Sequence, residues 1–293
     1  MRFLRALFLT VVSLLLLVDL AVLQVGVGID RTVLNPGFVL ATMDRTHFYD
    51  AARDLMVTGL APPPGTASPA EAKIVAAAVA EALTPDLLRA QAQVIVPQVY
   101  ALVEHPTPAP AVTVDLTAFR ENLLAAMEKL AREAGATARQ LASVRAGVKS
   151  AIPAKLDLLQ QLQVDPARLA ELTTYYRYFH AALAGTGVLM LVLALLAVWA
   201  AGRRAWGAWL GVPFILSGLA VGTAATVARS RALALLSDPQ ALGWTGNPDA
   251  GQVVVAGLGQ GVANGLWLAF LLIGTTAAVV GAFLWFMARK AYR

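Results

Sequence analysis

Residues 6–28 read ALFLTVVSLLLLVDLAVLQVGVG, with Asp19 as the one ionisable side chain. A helix of about 20 apolar residues crosses the hydrocarbon of a bilayer, so this stretch is read as a membrane span. Three further runs share its character. They lie at about 181–201, closed by Arg203 and Arg204; at about 206–228, followed by Arg229 and Arg231; and at about 262–287, closed by Arg289, Lys290 and Arg293. The first run follows Arg2 and Arg5, as the apolar part of a secretory signal would. It stays apolar too long for that and offers no Ala-x-Ala-like cleavage site, so it is expected to remain as a signal anchor.

Composition agrees with four spans. Of 293 residues, 58% are hydrophobic and 14% charged, with mean hydropathy +0.65. Soluble domains carry about a quarter charged residues, so a wholly soluble protein and a disordered one are both excluded. The chain has no cysteine, which removes disulfides, thiolate catalysis and Cys-based zinc or iron–sulfur sites.

The formal net charge of +5 locates the spans rather than a nucleic-acid surface. The amino terminus, the turn between the second and third runs and the carboxyl terminus together hold seven basic and no acidic side chains. Basic residues gather on the cytoplasmic side of spans, so both termini are expected there, in the cell (inner, cytoplasmic) membrane. Residues 29–180, with 14 basic and 15 acidic side chains, and the loop 229–261 are then extracytoplasmic. The expected organisation is a first transmembrane helix over 1–28, a helical domain over 29–180 and a three-helix membrane domain over 181–293. In fold class this is an all-α integral membrane protein, its large extracytoplasmic α-helical domain lying between transmembrane helices 1 and 2.

The region 29–180 is punctuated as helices are. Asn35-Pro36 offers an N-cap and a first-turn proline for a segment reaching about Thr58 and ended by Gly59. The proline-rich stretch 61–67 reads as a stiff connector, Ser68-Pro69-Ala70-Glu71 as a capping box, and Thr84-Pro85-Asp86 as the start of a helix to about Val103 that contains Pro97. A second rigid linker covers 105–110. Val112–Leu116 alternates as a short strand would. Leu116, Phe119, Leu123, Met127 and Leu130 then share one helical face, and Leu141, Val144, Val148 and Ile152 share another. Leu156, Leu159 and Leu162 suggest one more short amphipathic segment. Asp165-Pro166 caps a helix with no obvious stop before Gly185 or even Ala201, and if continuous to Ala201 its 36 residues would span about 54 Å.

Asp19 is the clearest candidate for function, because an intramembrane carboxylate is costly to insert. It would bind a cation, relay a proton or meet a basic residue of another span; alternatively it is paired structurally with Thr223, Thr226, Asn264 or Arg229. Gly257, Gly261 and Gly265 form two tandem small-xxx-small registers, and Gly218 with Gly222 a third, which suit close helix packing or a seam between copies. Neither set follows a strand as a dinucleotide loop would. Asp44, His47, Asp50 and Asp54, at spacings 3, 3 and 4, fall on one helical face; they are a weak metal-ligand set or a solvated acidic face. Tyr175, Tyr176, Tyr178 and Phe179 suit the aromatic belt of a membrane boundary, or stacking on a ligand.

No nucleophile elbow, zinc-protease motif or phosphate-binding loop occurs, no cofactor is implied, and no motif identifies a family. The expectation is a non-enzymatic multi-pass membrane protein that acts through protein contacts of its outer domain, as an envelope scaffold, accessory subunit or sensor lacking its own cytoplasmic output domain. Its partners would be the lipid bilayer and another protein or a second copy, with no nucleic acid. The alternative is a small transporter or channel using Asp19 and polar residues of the third and fourth spans.

Overall fold

A computed structural model describes residues 2–59, 69–105, 112–135, 137–161, 165–202, 205–238 and 250–290. The connector 61–67, Ser68 of the capping box, the linker 106–110, Leu162, Arg203, Arg204, Trp244 and Arg293 lie outside the described residues. In chain order the elements are α1 (Arg2–Asp30), α2 (Pro36–Arg45), α3 (Phe48–Gly59), α4 (Pro69–Ala82), α5 (Pro85–Glu104), β1 (Thr113–Asp115), α6 (Thr117–Glu133), α7 (Ala138–Ala151), β2 (Lys155–Asp157), α8 (Leu158–Gln161), α9 (Pro166–Ala201), α10 (Trp206–Ser237) and α11 (Ala250–Lys290). Of the described residues 89% are helical. Four helices among them are long and apolar enough to cross a membrane: Phe3–Asp30, Ala167–Ala201, Trp206–Ser237 and Gly251–Lys290. That is compatible with a multi-pass membrane protein.

The chain divides into two compact units, one of Met1–Val39, Tyr175–Gly243 and Gly259–Arg293, the other of Leu40–Thr174 and Trp244–Leu258. In the first, Val12, Leu16 and Leu20 of α1 are buried with Leu193 and Ala197 of α9 and Leu210 of α10. Residue pairings give the directions. Ser13 meets Trp209 and Gln24 meets Ser217, so α1 and α10 run parallel. Gly211 faces Gly281 and Gly218 faces Gly274, so α11 runs antiparallel to α10. A Cβ on Gly211 would come within 2.5 Å of the Gly281 carbonyl oxygen, and one on Gly281 equally close to that of Gly211. Only glycine lets these two backbones touch. Arg5 Nε donates to the Ala200 carbonyl at 2.6 Å, placing a cation on the negative end of α9.

The second unit has a core of its own. Ala78, Val79 and Ala82 of α4 are buried against Leu123 and Ala126 of α6 and Val148 of α7, with Phe119, Met127 and Leu130 around them. The apolar periodicity of α6 and α7 thus points inward as the spacing predicts. Helix ends follow the local chemistry. The Asn35 carboxamide oxygen accepts from Gly37 N–H at 2.9 Å, Thr84 Oγ1 from Leu87 N–H at 3.2 Å, and Asp165 Oδ1 from Ala167 N–H at 2.9 Å. Arg53 donates to the carbonyls of Ala80 and Leu83, each at 2.9 Å, satisfying orphan groups at the end of α4.

Three expectations are revised. The segment after Pro36 is two helices, because His47 adopts φ 51° and turns the chain between α2 and α3. The strand at Val112–Leu116 has a partner in Lys155–Asp157, antiparallel with Val114 opposite Leu156, so the expected short amphipathic segment divides into β2 and the short helix α8. The loop 229–261 is mostly helix: α10 continues to Ser237 and α11 begins at Ala250. The 36-residue helix from Pro166 to Ala201 is continuous, as its missing stop signals implied.

Candidate functional site

Polar side chains interrupt α1, a helix otherwise mostly leucine and valine, at Ser13, Asp19 and Gln24. The first, Ser13, answers a defect in α10. Pro213 has no N–H, so the carbonyl four residues earlier, at Trp209, loses its helical partner. Ser13 Oγ donates to that carbonyl at 3.2 Å. Gln24 follows, only 6% exposed. Its Nε2 donates to Ser217 Oγ at 3.0 Å, and Ser217 donates on to the Phe214 carbonyl at 3.1 Å. Gln24 Oε1 is buried with no hydrogen-bond partner.

Asp19 lies between these two ties and is 8% exposed. Its Oδ2 is buried and has no hydrogen-bond partner. The residues expected to meet it are engaged elsewhere. Arg229 Nε donates to Asn264 Oδ1 at 2.8 Å and the guanidinium lies 4.5 Å from the centre of the Trp267 ring. Trp267 Nε1 donates to Thr226 Oγ1 at 3.2 Å, and Thr226 and Thr223 donate to carbonyls of their own helix. Arg229, Thr226, Asn264 and Trp267 therefore make one polar knot between α10 and α11, and Asp19 is outside it. Two apolar grooves of about 330 Å³ and about 510 Å³ flank α1 against α10; Asp19 lines neither.

The predicted glycines divide by role. Gly218 packs backbone to backbone on Gly274, Gly222 makes ordinary contact with Leu271, and Gly265 lies against the Phe38 ring. Gly257 has open space around it, and Gly261 is half-buried in α11. Gly274 and Gly281, which meet Gly218 and Gly211 backbone to backbone, stand seven residues apart and outside the four-residue registers; Gly207 and Gly211 form a further such register that sequence reading missed.

Of the aromatic group, Tyr175 and Tyr178 are exposed, whereas Tyr176 and Phe179 pack around His180 at ring distances of 4.2 and 5.4 Å. His180 Nδ1 lies 3.0 Å from the Tyr176 carbonyl and Nε2 lies 3.0 Å from Asp30 Oδ1. This pair ties the end of α1 to α9.

In the second unit the acidic quartet does not converge. The turn at His47 puts Asp44 on α2 and Asp50 and Asp54 on α3, and each has a separate neighbour. Asp44 accepts from Arg89 Nε at 2.8 Å, Asp50 lies 3.6 Å from His47, and Asp54 lies 3.3 Å from Arg53. No group of three or more metal-ligating side chains occurs among the described residues. The structure thus distributes Asp44, His47, Asp50 and Asp54 among separate neighbours. The Asp44 hydrogen bond raises the Arg89 pKa above its usual value, and burial followed by Asp44 raises that of Tyr49.

A charged groove of about 430 Å³ lies between α6 and α7. Glu128 lines it and accepts from Arg132 at 3.3 Å and from Arg145 Nε at 2.9 Å. Arg120 also lines it, and its Nε is buried with no hydrogen-bond partner. Sequence reading passed over Arg120 because nothing in its spacing separates it from a solvated charge. Comparison with protein-family models, curated proteins and solved structures finds no match to this chain.

Proposed function

We propose that this is a non-enzymatic multi-pass membrane protein that acts through protein contacts of its helical unit, residues 40–174, on the extracytoplasmic side. The observation that carries the reading is that this segment forms a compact unit with its own buried core, closed by α4, α6 and α7. A segment held only as a loop between spans would need no such core.

The orientation is supported within the apolar unit. Arg5 caps the end of α9, and Gly207 at the start of α10 abuts Ala288, beside Arg289 and Lys290. Basic residues are thus gathered at one end, which basic-residue bias assigns to the cytoplasm. Asp30 and His180 meet at the opposite end, where the chain leaves for the helical unit and returns from it.

Photo-reactive amino acids at exposed Asn122 on α6 and Ser143 on α7, activated in intact membranes of the native host, test this. The expected product is a discrete adduct of defined mass from at least one position. Monomer alone from every exposed position of α6 and α7 would sink the reading.

A second reading, a small transporter or channel, is favoured by the buried unpartnered Oδ2 of Asp19 and Oε1 of Gln24. Each offers an acceptor to an ion or proton passing α1. Its test is flux in proteoliposomes: Asp19→Asn should abolish it, and flux that is absent or unchanged by that substitution rejects the idea.

A further inference from the structure

We propose that the groove between α6 and α7 binds an acidic segment of a partner protein, with Arg120 and Lys149 taking its carboxylates. The proposal deepens the protein-contact reading above and rests on it.

The geometry comes from two helices meeting with their charged rows inward to one furrow. On α6, Arg120, Leu124 and Glu128 stand four residues apart, and Glu121 and Ala125 form the adjacent row. Such spacing brings side chains onto one face. On α7, Arg145 and Lys149, also four apart, face them. Five of these seven side chains are charged, but their charges are not equally available. Glu128 is 13% exposed and already accepts from Arg132 and Arg145, so Arg145 is neutralised within the groove.

Arg120 and Lys149 remain. Neither makes an ion pair or side-chain hydrogen bond within the described residues. Arg120 acts on Asp115 only through space, and Asp115 Oδ1 accepts from the Thr117 N–H at 2.9 Å. Arg120 thus lines the groove with no carboxylate among the described residues to pair its charge, so the site favours a ligand that supplies an acceptor to the guanidinium. A carboxylate does this at full charge and can take the guanidinium in two parallel bonds.

The shape of the furrow selects a polypeptide. It is open to the surface, whereas small-molecule sites enclose most of the ligand. Leu124 gives it an apolar floor that packs on the core beneath, and exposed Ala125 adds a small apolar side chain. A cation on each wall and an apolar floor fit a segment in which carboxylates alternate with aliphatic side chains. Exposed Glu121 on the rim repels an unbroken acidic run. The site therefore prefers alternation over a polyglutamate tract.

The test uses the full chain in nanodiscs of neutral phosphatidylcholine and a fluorescein-labelled peptide of alternating Leu and Glu. Anisotropy should saturate, weaken as NaCl rises from about 0.05 M to about 0.3 M because screening shortens the Debye length, and remain flat for a Leu–Lys peptide. Arg120→Gln and Lys149→Gln should each weaken binding roughly tenfold, the loss of about one charge-assisted pair. Lys129→Gln, which breaks an ion pair with Glu81 away from the furrow, should not. If Arg120→Gln does not fold, exposed Lys149 carries the test alone.

The proposal is overturned by absence of saturable binding, by indifference to both groove substitutions, or by inorganic phosphate or phosphatidylglycerol vesicles binding with the same Arg120 dependence. Photo-adducts that persist unchanged in the Arg120→Gln/Lys149→Gln double variant would remove the groove but leave the protein-contact reading standing. Loss of adducts from the unmodified protein would remove that reading itself.

Discussion

Gly218 of α10 and Ala82 of α4 are both small and both buried, but different things cover them. Over Gly218 lies the backbone of α11 at Gly274; over Ala82 lie the side chains of α6 and α7. In the helical unit, alanines and leucines turned inward leave charged residues outside, and burial of apolar surface away from water drives the association. In the apolar unit the outside is as oily as the inside: Leu195, Trp199 and Leu272 all point away from their neighbours. Surroundings as apolar as leucine remove that driving force and leave close backbone contact and a few hydrogen bonds. The two units thus stand on different interactions, and substitutions separate them.

The largest effect is expected at the backbone seam. Gly218→Leu places a side chain where the Gly274 backbone now sits, and neither helix can yield without parting from the other. We expect a loss of about 4 kcal/mol, at the upper end for single substitutions. Gly257→Leu is the matched control, because nothing lies within 4 Å of its Cβ position. Steric-trap unfolding in bicelles measures both; equal losses would show that the seam is not special.

Next is the core of the helical unit. Leu123→Ala removes a 6%-exposed side chain from between α4 and α7 and should cost about 3 kcal/mol. If burial from water drives this unit, hydrogen exchange should rise across α4, α6 and α7 while α10 and α11 stay protected. Exchange that rises equally in both would mean one cooperative structure rather than two.

Much of this division is legible in the sequence. Hydropathy marks four long helices, Asp165-Pro166 followed by no stop signal marks the continuous α9, and the spacing Leu116–Leu130 marks the buried face of α6. These are local properties, written in neighbouring residues. What is missed depends on a partner far along the chain. Gly274 and Gly281 are seven residues apart, two helical turns, so a search for glycines four apart passes over them; Gly207 and Gly211 do stand four apart and are overlooked, and Gly218 is found through Gly222 although it packs on Gly274 of another helix. Lys155–Asp157 alone has no strand pattern; it becomes one because Val112–Leu116 lies beside it. The break at His47 has no glycine or proline to announce it. For the candidate sites, Asp19 is visible as a lone charge among apolar residues, but its isolation from Thr226 and Asn264, and the unpaired Nε of Arg120, are facts of three-dimensional placement.

A smaller effect tests the claim that charge matters mainly in the helical unit. The side-chain and backbone hydrogen bonds from Thr117 lower the Asp115 pKa, with Lys155 and Arg120 adding to the shift. A carboxyl lowered on folding contributes stability above its unfolded pKa of about 3.9, and that contribution disappears as pH falls through the folded value. Acid titration should therefore loosen the β1–β2 pair, read by exchange at Leu116 and Leu158, and Asp115→Asn should flatten this dependence below about pH 4. An unchanged profile would mean that the Thr117 contact has no part in it.

The smallest effect is the most diagnostic of the apolar unit. Ser13 donates to the Trp209 carbonyl because Pro213 cannot. Ser13→Ala should cost about 0.6 kcal/mol, the average for an interhelical hydrogen bond among apolar helices. The argument requires more than a loss, since any packing change could produce one. Pro213→Ala restores an N–H four residues after Trp209 and so gives the carbonyl a partner within its own helix. In that background Ser13→Ala should cost close to nothing, and the double-mutant cycle should return a coupling of nearly the whole single-mutant effect. Additive losses would mean that the serine only fills space beside α10. A full coupling would mean that α1 repairs a proline defect in a helix nearly 200 positions away, the kind of long-range dependence expected where no water is at hand to satisfy a freed carbonyl.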